Sequence, residues 1–238
     1  MKTRAIAIIP ARGGSKRIYK KNIKNFWGQP ILAYSIIAAI KSKVFERILV
    51  STDDLEIAET AKVYGAEVPF LRPQKLSDDF CNLDAVVDHA ISWCKQNENL
   101  TYHYCCMIYA TAPMIEHKYI KLGLNKLKKA GGKAAITIAE MPYPAQRSLT
   151  ILDDGNLIRL WPEYATSRSQ DLPKSYQDAA HFNWYNLSRW PIDKNMSNLV
   201  DVIPIELPRQ IVQDIDTEED WKTAEQMYKM RIESTQNV

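Results

Sequence analysis

Apolar residues recur along this chain in two rhythms. Short unbroken runs at 6–9, 46–52, 104–109 and 134–139 read as buried strands. Between them, stretches at 31–41, 54–64, 82–96 and 116–129 carry apolar positions three and four apart, the spacing of one helix face. The punctuation agrees: Pro30 suits a first helical position, and Gly65 and Gly131-Gly132 suit helix ends. Strand and helix alternating over about 140 residues predict an α/β fold with a mostly parallel sheet and helices on both faces. Such sheets bind ligands at the carboxyl ends of their strands. Three stretches fall there and are expected to line one cleft: the loop after residue 10, Asp53-Asp54, and 109–113.

The second half changes rhythm. Residues 149–161 read as a hairpin turning at Asp153-Asp154-Gly155-Asn156, and 163–180 are polar and irregular. Strands are expected at 182–186, 199–207 and 210–215, and a terminal helix at 217–231. With no repeat, low-complexity tract or linker, residues 1–238 are read as a single domain with an inserted arm at roughly 140–180.

Composition adds exclusions. Thirty-one basic and 28 acidic residues leave a net charge of +3, too balanced for a general nucleic-acid binder. Cys81, Cys94, Cys105 and Cys106 lack zinc-type spacing, and the adjacent pair is poorly placed for a local disulfide. With no signal peptide or membrane-length apolar run visible, a cytoplasmic protein without a membrane partner is expected.

Candidate chemistry concentrates in two places. The first is Pro10-Ala11-Arg12-Gly13-Gly14-Ser15-Lys16-Arg17, continued by Lys20-Lys21-Asn22. Five cations within ten residues make a positive field, and paired glycines admit a ligand close to the backbone. A triphosphate cradle fits, although the string is neither a Walker A loop nor a Gly-x-Gly-x-x-Gly fingerprint; a solvated basic loop is the alternative. The second is Asp214-Ile215-Asp216, read as a strand end with both carboxylates on one face, suited to Mg²⁺ shared with phosphates. Asp216 also reads as the N-cap of the last helix, with an acid three places on, so metal and cap both stand. Asp53-Asp54 reads as a turn and cap, and His89, His103 and His117 have no evident partners.

With these residues named, the sequence resembles the CMP-acylneuraminate cytidylyltransferase family, the CMP-sialic acid synthetases, along nearly its whole length. Ile9-Pro-Ala-Arg-Gly-Gly-Ser-Lys16, Lys21-Asn-Ile-Lys24, Val50-Ser-Thr-Asp-Asp54, Arg72-Pro73 and Asp214-Ile-Asp-Thr217 occur in the family's order. Val68-Pro-Phe-Leu-Arg-Pro73, Leu76-Ser-Asp-Asp79, Ile108-Tyr-Ala-Thr-Ala-Pro113 and Tyr176-Gln-Asp-Ala179 are most similar to the members acting on pseudaminic acid. The resemblance implies a nucleotide-diphospho-sugar transferase fold in which the arm makes a homodimer. It also implies a reaction, CTP plus the nine-carbon keto acid pseudaminic acid giving CMP-pseudaminic acid and pyrophosphate. N-acetylneuraminate, legionaminate and a shorter 2-keto-3-deoxy acid are alternative substrates, and a nucleotide-binding relative without turnover is the alternative of another class.

Carried over residue by residue, the resemblance implies that Ala11, Arg12, Gly13, Gly14, Ser15 and Lys16 hold the phosphates. Lys21 faces the α-phosphate, Asn22 and Arg72 read the cytidine, and Asp214 and Asp216 hold Mg²⁺. Arg12, Lys21, Asp214 and Asp216 form the catalytic set. Tyr109, Thr111, Asp178, His181 and Phe182 form the sugar pocket. Two departures stand out: Tyr19 where the family usually has proline, and Ala180-His181 where Gly-Gln is expected.

Overall fold

In the computed structural model, which describes residues 3–78, 81–189 and 199–236, the strands are β1 (Ala5–Pro10), β2 (Asn25–Phe26), β3 (Gln29–Pro30), β4 (Arg47–Ser51), β5 (Tyr104–Ile108), β6 (Ala134–Glu140), β7 (Leu149–Ile151), β8 (Leu157–Arg159), β9 (Tyr176–Asn186) and β10 (Val202–Glu206). The helices are α1 (Ile31–Ser42), α2 (Leu55–Val63), α3 (Leu83–Glu98), α4 (His117–Ala130) and α5 (Glu218–Gln236). Six strands form one sheet in the order β10-β6-β9-β5-β1-β4. β1 runs parallel to β4 and β5, and β10 parallel to β6. β9 runs antiparallel to both of its neighbours, β5 and β6.

Alternation along the strands sorts the core into two layers. Ile6, Ile8, Cys105, Met107 and Tyr185 pack with Val87, Ala90 and Cys94 of α3 on one face. Ala7, Ile9, Cys106, Ile108, Phe182 and Trp184 pack with residues of α1, α2 and α4 on the other. Helices thus cover both faces, as the periodicity predicts. A third cluster joins Ile18, Phe26 and Ile31 to Ile215, Trp221 and Ala224, which docks α5 beside the basic loop.

The inserted arm leaves the sheet at the end of β6 and returns as β9. Within it, β7 and β8 form the predicted hairpin. Two expectations for the second half change. The irregular stretch gives up its last residues to β9, which begins at Tyr176. The strand expected at 210–215 is a 3-10 turn, Arg209–Ile211, followed by unpaired extended chain. Pro208 stands at the head of that turn, fixing φ and removing a ladder donor. Pro204, by contrast, sits within β10, an edge strand, where proline is tolerated.

Candidate active site

A cleft of about 280 Å³ opens at the carboxyl ends of β1 and β5. Arg12, Lys16, Arg17, Lys21 and Arg72 line it, against the acids Asp78 and Asp216. Ser15, Asn22, Tyr109 and Thr111 complete its polar wall. The basic loop and the end of β5 therefore meet, as their places at strand ends predict.

The loop is held by its backbone. Ala11 N–H donates to Ser51 O at 2.9 Å, and Gly13 N–H donates to Asp53 Oδ1 at 3.0 Å. Buried Asn22 donates from Nδ2 to Arg12 O at 2.9 Å, closing the loop on itself. The two glycines differ in why they are needed. A Cβ on Gly13 would lie 2.7 Å from Asp54 Oδ2, so this position is closed by the neighbouring helix cap. Nothing stands within 4 Å of a Cβ on Gly14, so its backbone is open to a ligand.

Asp53 and Asp54 divide their work. Asp54 caps α2, accepting from the N–H groups of Glu56 and Ile57. Asp53 supports the site: besides Gly13 it lies 3.6 Å from an Arg72 guanidinium nitrogen. Arg72 is buried, and burial lowers its pKa while Asp53 opposes that shift. Its Nε donates to Ser77 Oγ at 3.2 Å. The sequence reading took Asp53 for turn chemistry and missed this role. The signal was available, since only one of two adjacent acids can cap. Asp79 of the Leu76–Asp79 motif lies outside the described residues.

Opposite the loop, the segment before α5 brings Asp216 to the cations. Its Oδ1 accepts from Arg17 at 2.9 Å and lies 3.4 Å from Lys21 Nζ, which also donates to Ile215 O at 2.6 Å. Asp216 is not the helix cap. Thr217 caps α5: Thr217 Oγ1 accepts from Asp220 N–H, and Asp220 Oδ2 accepts from Thr217 N–H, a reciprocal capping box. The Asp216 carboxylate is thereby left to the cleft. Asp214 does not line the cleft but feels the same charges. Desolvation raises its pKa, the neighbouring Asp216 raises it further, and Lys21 opposes both. Arg17 is a second partner of Asp216 that the sequence reading did not single out.

The residues expected around the sugar separate. Tyr109 and Thr111 line the cleft. Burial, followed by the charges of Asp178 and Asp214, raises the Tyr109 hydroxyl pKa, so Tyr109 is a neutral hydrogen-bonding group. Asp178 is exposed and accepts from Ala180 N–H at 2.8 Å. Phe182 and His181 do not belong to the cleft wall. Phe182 is 0% exposed and sits in the layer against α4, because it pairs with Ile108 and shares that residue's face of the sheet. His181 is 2% exposed; burial pulls its pKa down to about 4, against the opposing influence of the Ile211 backbone. It is a neutral strut between β9 and the segment that leads to Asp214.

Ala180 explains why glycine is expected at its position: its φ is +49°, in the left-handed region. That region costs an L-residue about 1–2 kcal/mol, less the chain entropy that glycine gives up. Ala180→Gly is expected to raise stability by up to about 1 kcal/mol, read as a higher urea midpoint at unchanged slope.

Comparison with known proteins gives concordant matches. The family model described as Cytidylyltransferase matches residues 6–237. The chain is 39% identical over 229 residues to the pseudaminic acid cytidylyltransferase of Campylobacter jejuni subsp. jejuni serotype O:23/36 (strain 81-176), covering 96% of this chain and 98% of that one. It is 32% identical over 157 residues to the CMP-N,N'-diacetyllegionaminic acid synthase of Legionella pneumophila subsp. pneumophila, 66% of each chain. Among solved structures, the fold is similar to CMP:2-keto-3-deoxy-manno-octonic acid synthetase complexed with CTP, with a TM-score of 0.67, 14% identity, and coverage of 96% of this chain and 100% of that one. It is also similar to the 4-diphosphocytidyl-2C-methyl-D-erythritol synthase of Anaerococcus prevotii DSM 20548, with a TM-score of 0.62, 14% identity, and coverage of 95% and 99%.

Proposed function

We propose that this chain, which belongs to the cytidylyltransferase family, transfers CMP from CTP to pseudaminic acid and releases pyrophosphate. The observation that carries the reaction is the meeting of Lys21 and Asp216 in a cleft lined by four further cations. Similarity over almost the full length of both chains to a pseudaminic acid cytidylyltransferase supports the choice of acid.

The anomeric hydroxyl of the sugar attacks the α-phosphorus in line with the departing pyrophosphate. The protein's part is positioning and charge neutralisation. Arg12, Ser15, Lys16 and the backbone of Ala11, Gly13 and Gly14 hold the β- and γ-phosphates, and Lys21 meets the α-phosphate. Asn22 and Arg72 read the cytidine, while Tyr109, Thr111 and Asp178 face the sugar.

Asp214 and Asp216 fit a hard divalent cation such as Mg²⁺. Desolvation first, and then the neighbouring charge of Asp216, raise the Asp214 pKa, and Asp216 has no capping duty. Two carboxylates leave coordination positions for phosphate oxygens and water, the usual Mg²⁺ arrangement in such sites. When bound, the ion neutralises phosphate charge and favours pyrophosphate as a leaving group.

The test is to incubate the protein with CTP, Mg²⁺ and a panel of nonulosonic acids and to weigh the products. CMP-pseudaminic acid is expected to dominate. A dominant CMP-N-acetylneuraminate product would overturn the choice of acid, and nucleotide binding without pyrophosphate release would overturn turnover itself.

Assembly as a homodimer through the arm belongs to the same reading. Ile151 and Leu157 are cross-strand partners in the hairpin, 71% and 63% exposed. Leu149 and Leu160 add further exposed apolar surface, a pattern that marks an interface. Sedimentation is expected to give a dimer for the native chain and a folded monomer for the variant Ile151→Asp with Leu157→Asp. A native monomer at micromolar concentration would remove the arm from assembly.

A further inference from the structure

The segment that carries Asp214 and Asp216 has no ladder to hold it. The 3-10 turn ends at Ile211, α5 begins at Glu218, and among the described residues 212–217 pair with no strand. Ile215 stands between the two acids and is 0% exposed. Its side chain is buried in the third cluster with Ile18, Phe26 and Trp221. Ile18 belongs to the basic loop, three residues before Lys21, and Trp221 to the first turn of α5. Lys24 ties the same junction: its Nζ lies 4.5 Å from the Trp221 ring centroid and 2.7 Å from Glu218 Oε1. The loop and the acidic segment are therefore joined through packed apolar side chains, with site residues next to them in sequence on both sides.

The same residue holds Lys21 through its backbone. Lys21 Nζ donates to Ile215 O at 2.6 Å and lies 3.4 Å from Asp216 Oδ1. The Asp216 side chain is 41% exposed and shared with Arg17, so it is the looser acceptor. The carbonyl moves only if Ile215 leaves its seat. A lysine ammonium rides on a flexible four-carbon stem, so its place is set by what accepts from it. It carries three hydrogens. One goes to Ile215 O and one faces Asp216, which leaves one for a phosphate oxygen.

We infer that Ile215 is a positioning residue: its side chain, seated among Ile18, Phe26 and Trp221, fixes the carbonyl that holds the Lys21 ammonium at the reacting phosphate. The inference rests on the proposed transfer and names the group that places its central cation. Without the seat, carbonyl and ammonium drift together, and a misplacement of about 1 Å can cost about 10²-fold in rate. Lys21 acts on charge that builds in the transition state, so the loss falls on kcat rather than on the KM for CTP.

The test is a double-mutant cycle in the full-length protein, with kcat and the KM for CTP measured well below the thermal midpoint of each variant. Ile215→Ala is expected to lower kcat about 10–100-fold and to leave the KM for CTP within about twofold of native. In the Lys21→Ala background the same change is expected to cost less than about threefold, because the group it acts through is already gone. Leu127→Ala, a deletion of similar size in the layer against α4, is expected to lower the midpoint comparably and leave kcat unchanged. Should Ile215→Ala fail to fold, Ile215→Val is expected to lower kcat about 3–10-fold with the same non-additivity. Native kcat in the folded Ile215 variants overturns the inference. So do losses that multiply in the double variant, which would make Ile215 a support of the fold at large. A native protein that binds CTP without releasing pyrophosphate would instead overturn the proposed transfer, a result distinct from any difference among the variants.

Discussion

Replacing Lys21 with alanine is expected to slow pyrophosphate release from CTP by about 10²–10³-fold while the protein remains folded. Lys21 is the cation that joins the two halves of the site. It starts from the basic loop, its side chain is 19% exposed, and Nζ reaches both Ile215 O and Asp216 Oδ1. A charge already fixed there needs no reorganisation when negative charge builds on the α-phosphate, which makes such a group effective in a partly desolvated site. The folding cost is smaller. Removal forfeits one hydrogen bond from a charged donor to Ile215 O, about 1.5–3 kcal/mol, and Arg17 still pairs with Asp216. Lys21→Arg keeps the charge but spreads it over a planar fork, so only partial recovery is expected. Single-turnover assays with saturating CTP, run beside a thermal melt, separate the two effects. Near-normal release by the alanine variant would remove Lys21 from the chemistry.

Asp216→Asn is expected to lower the same rate by about 10²–10³-fold, again with little loss of fold. The substitution preserves shape and removes one charge. The ion pair with Arg17 is largely solvent-exposed, at 64% and 41%, and exposed pairs contribute about 0–1 kcal/mol. The start of α5 should not unravel, because Thr217 and Asp220 cap it without help from Asp216. The expected signature is a steeper requirement for added Mg²⁺ together with the lost rate. A melting temperature lowered in proportion to the rate would instead return Asp216 to a purely structural role.

Much of this architecture was legible in residue order because the signals involved are local. Helix faces, the glycines after α2 and α4, and the apolar strands of the first 140 residues all declare themselves within a few positions. What the reading missed depends on distant partners. No local signal says that the strand beginning at Tyr176 turns against its neighbours and enters between β5 and β6. Once it does, the pleat sends Phe182 to the core against α4, so its expected place in the pocket rested on an unseen register. The apolar positions of 210–215 suggested a strand, but Ile211 and Ile215 are buried as anchors of an unpaired segment. Of the two readings open for Asp216, the cap falls instead to the next residue, Thr217. Asp216 with Glu219 and Thr217 with Asp220 are both plausible cap pairs, and only the realised hydrogen bonds choose.

The reversed central strand also bears on how the chain comes to be folded. β6 touches β9 and β10, both encoded after it, and β5 shows one open edge until β9 arrives. A chain emerging from the ribosome with its first 140 residues complete therefore carries β6 unpaired and the flank of β5 uncovered. Bare edges of this kind invite intermolecular pairing. The arm must be synthesised before β9 can close the gap, so truncation within it would leave a sticky fragment rather than a smaller functional protein.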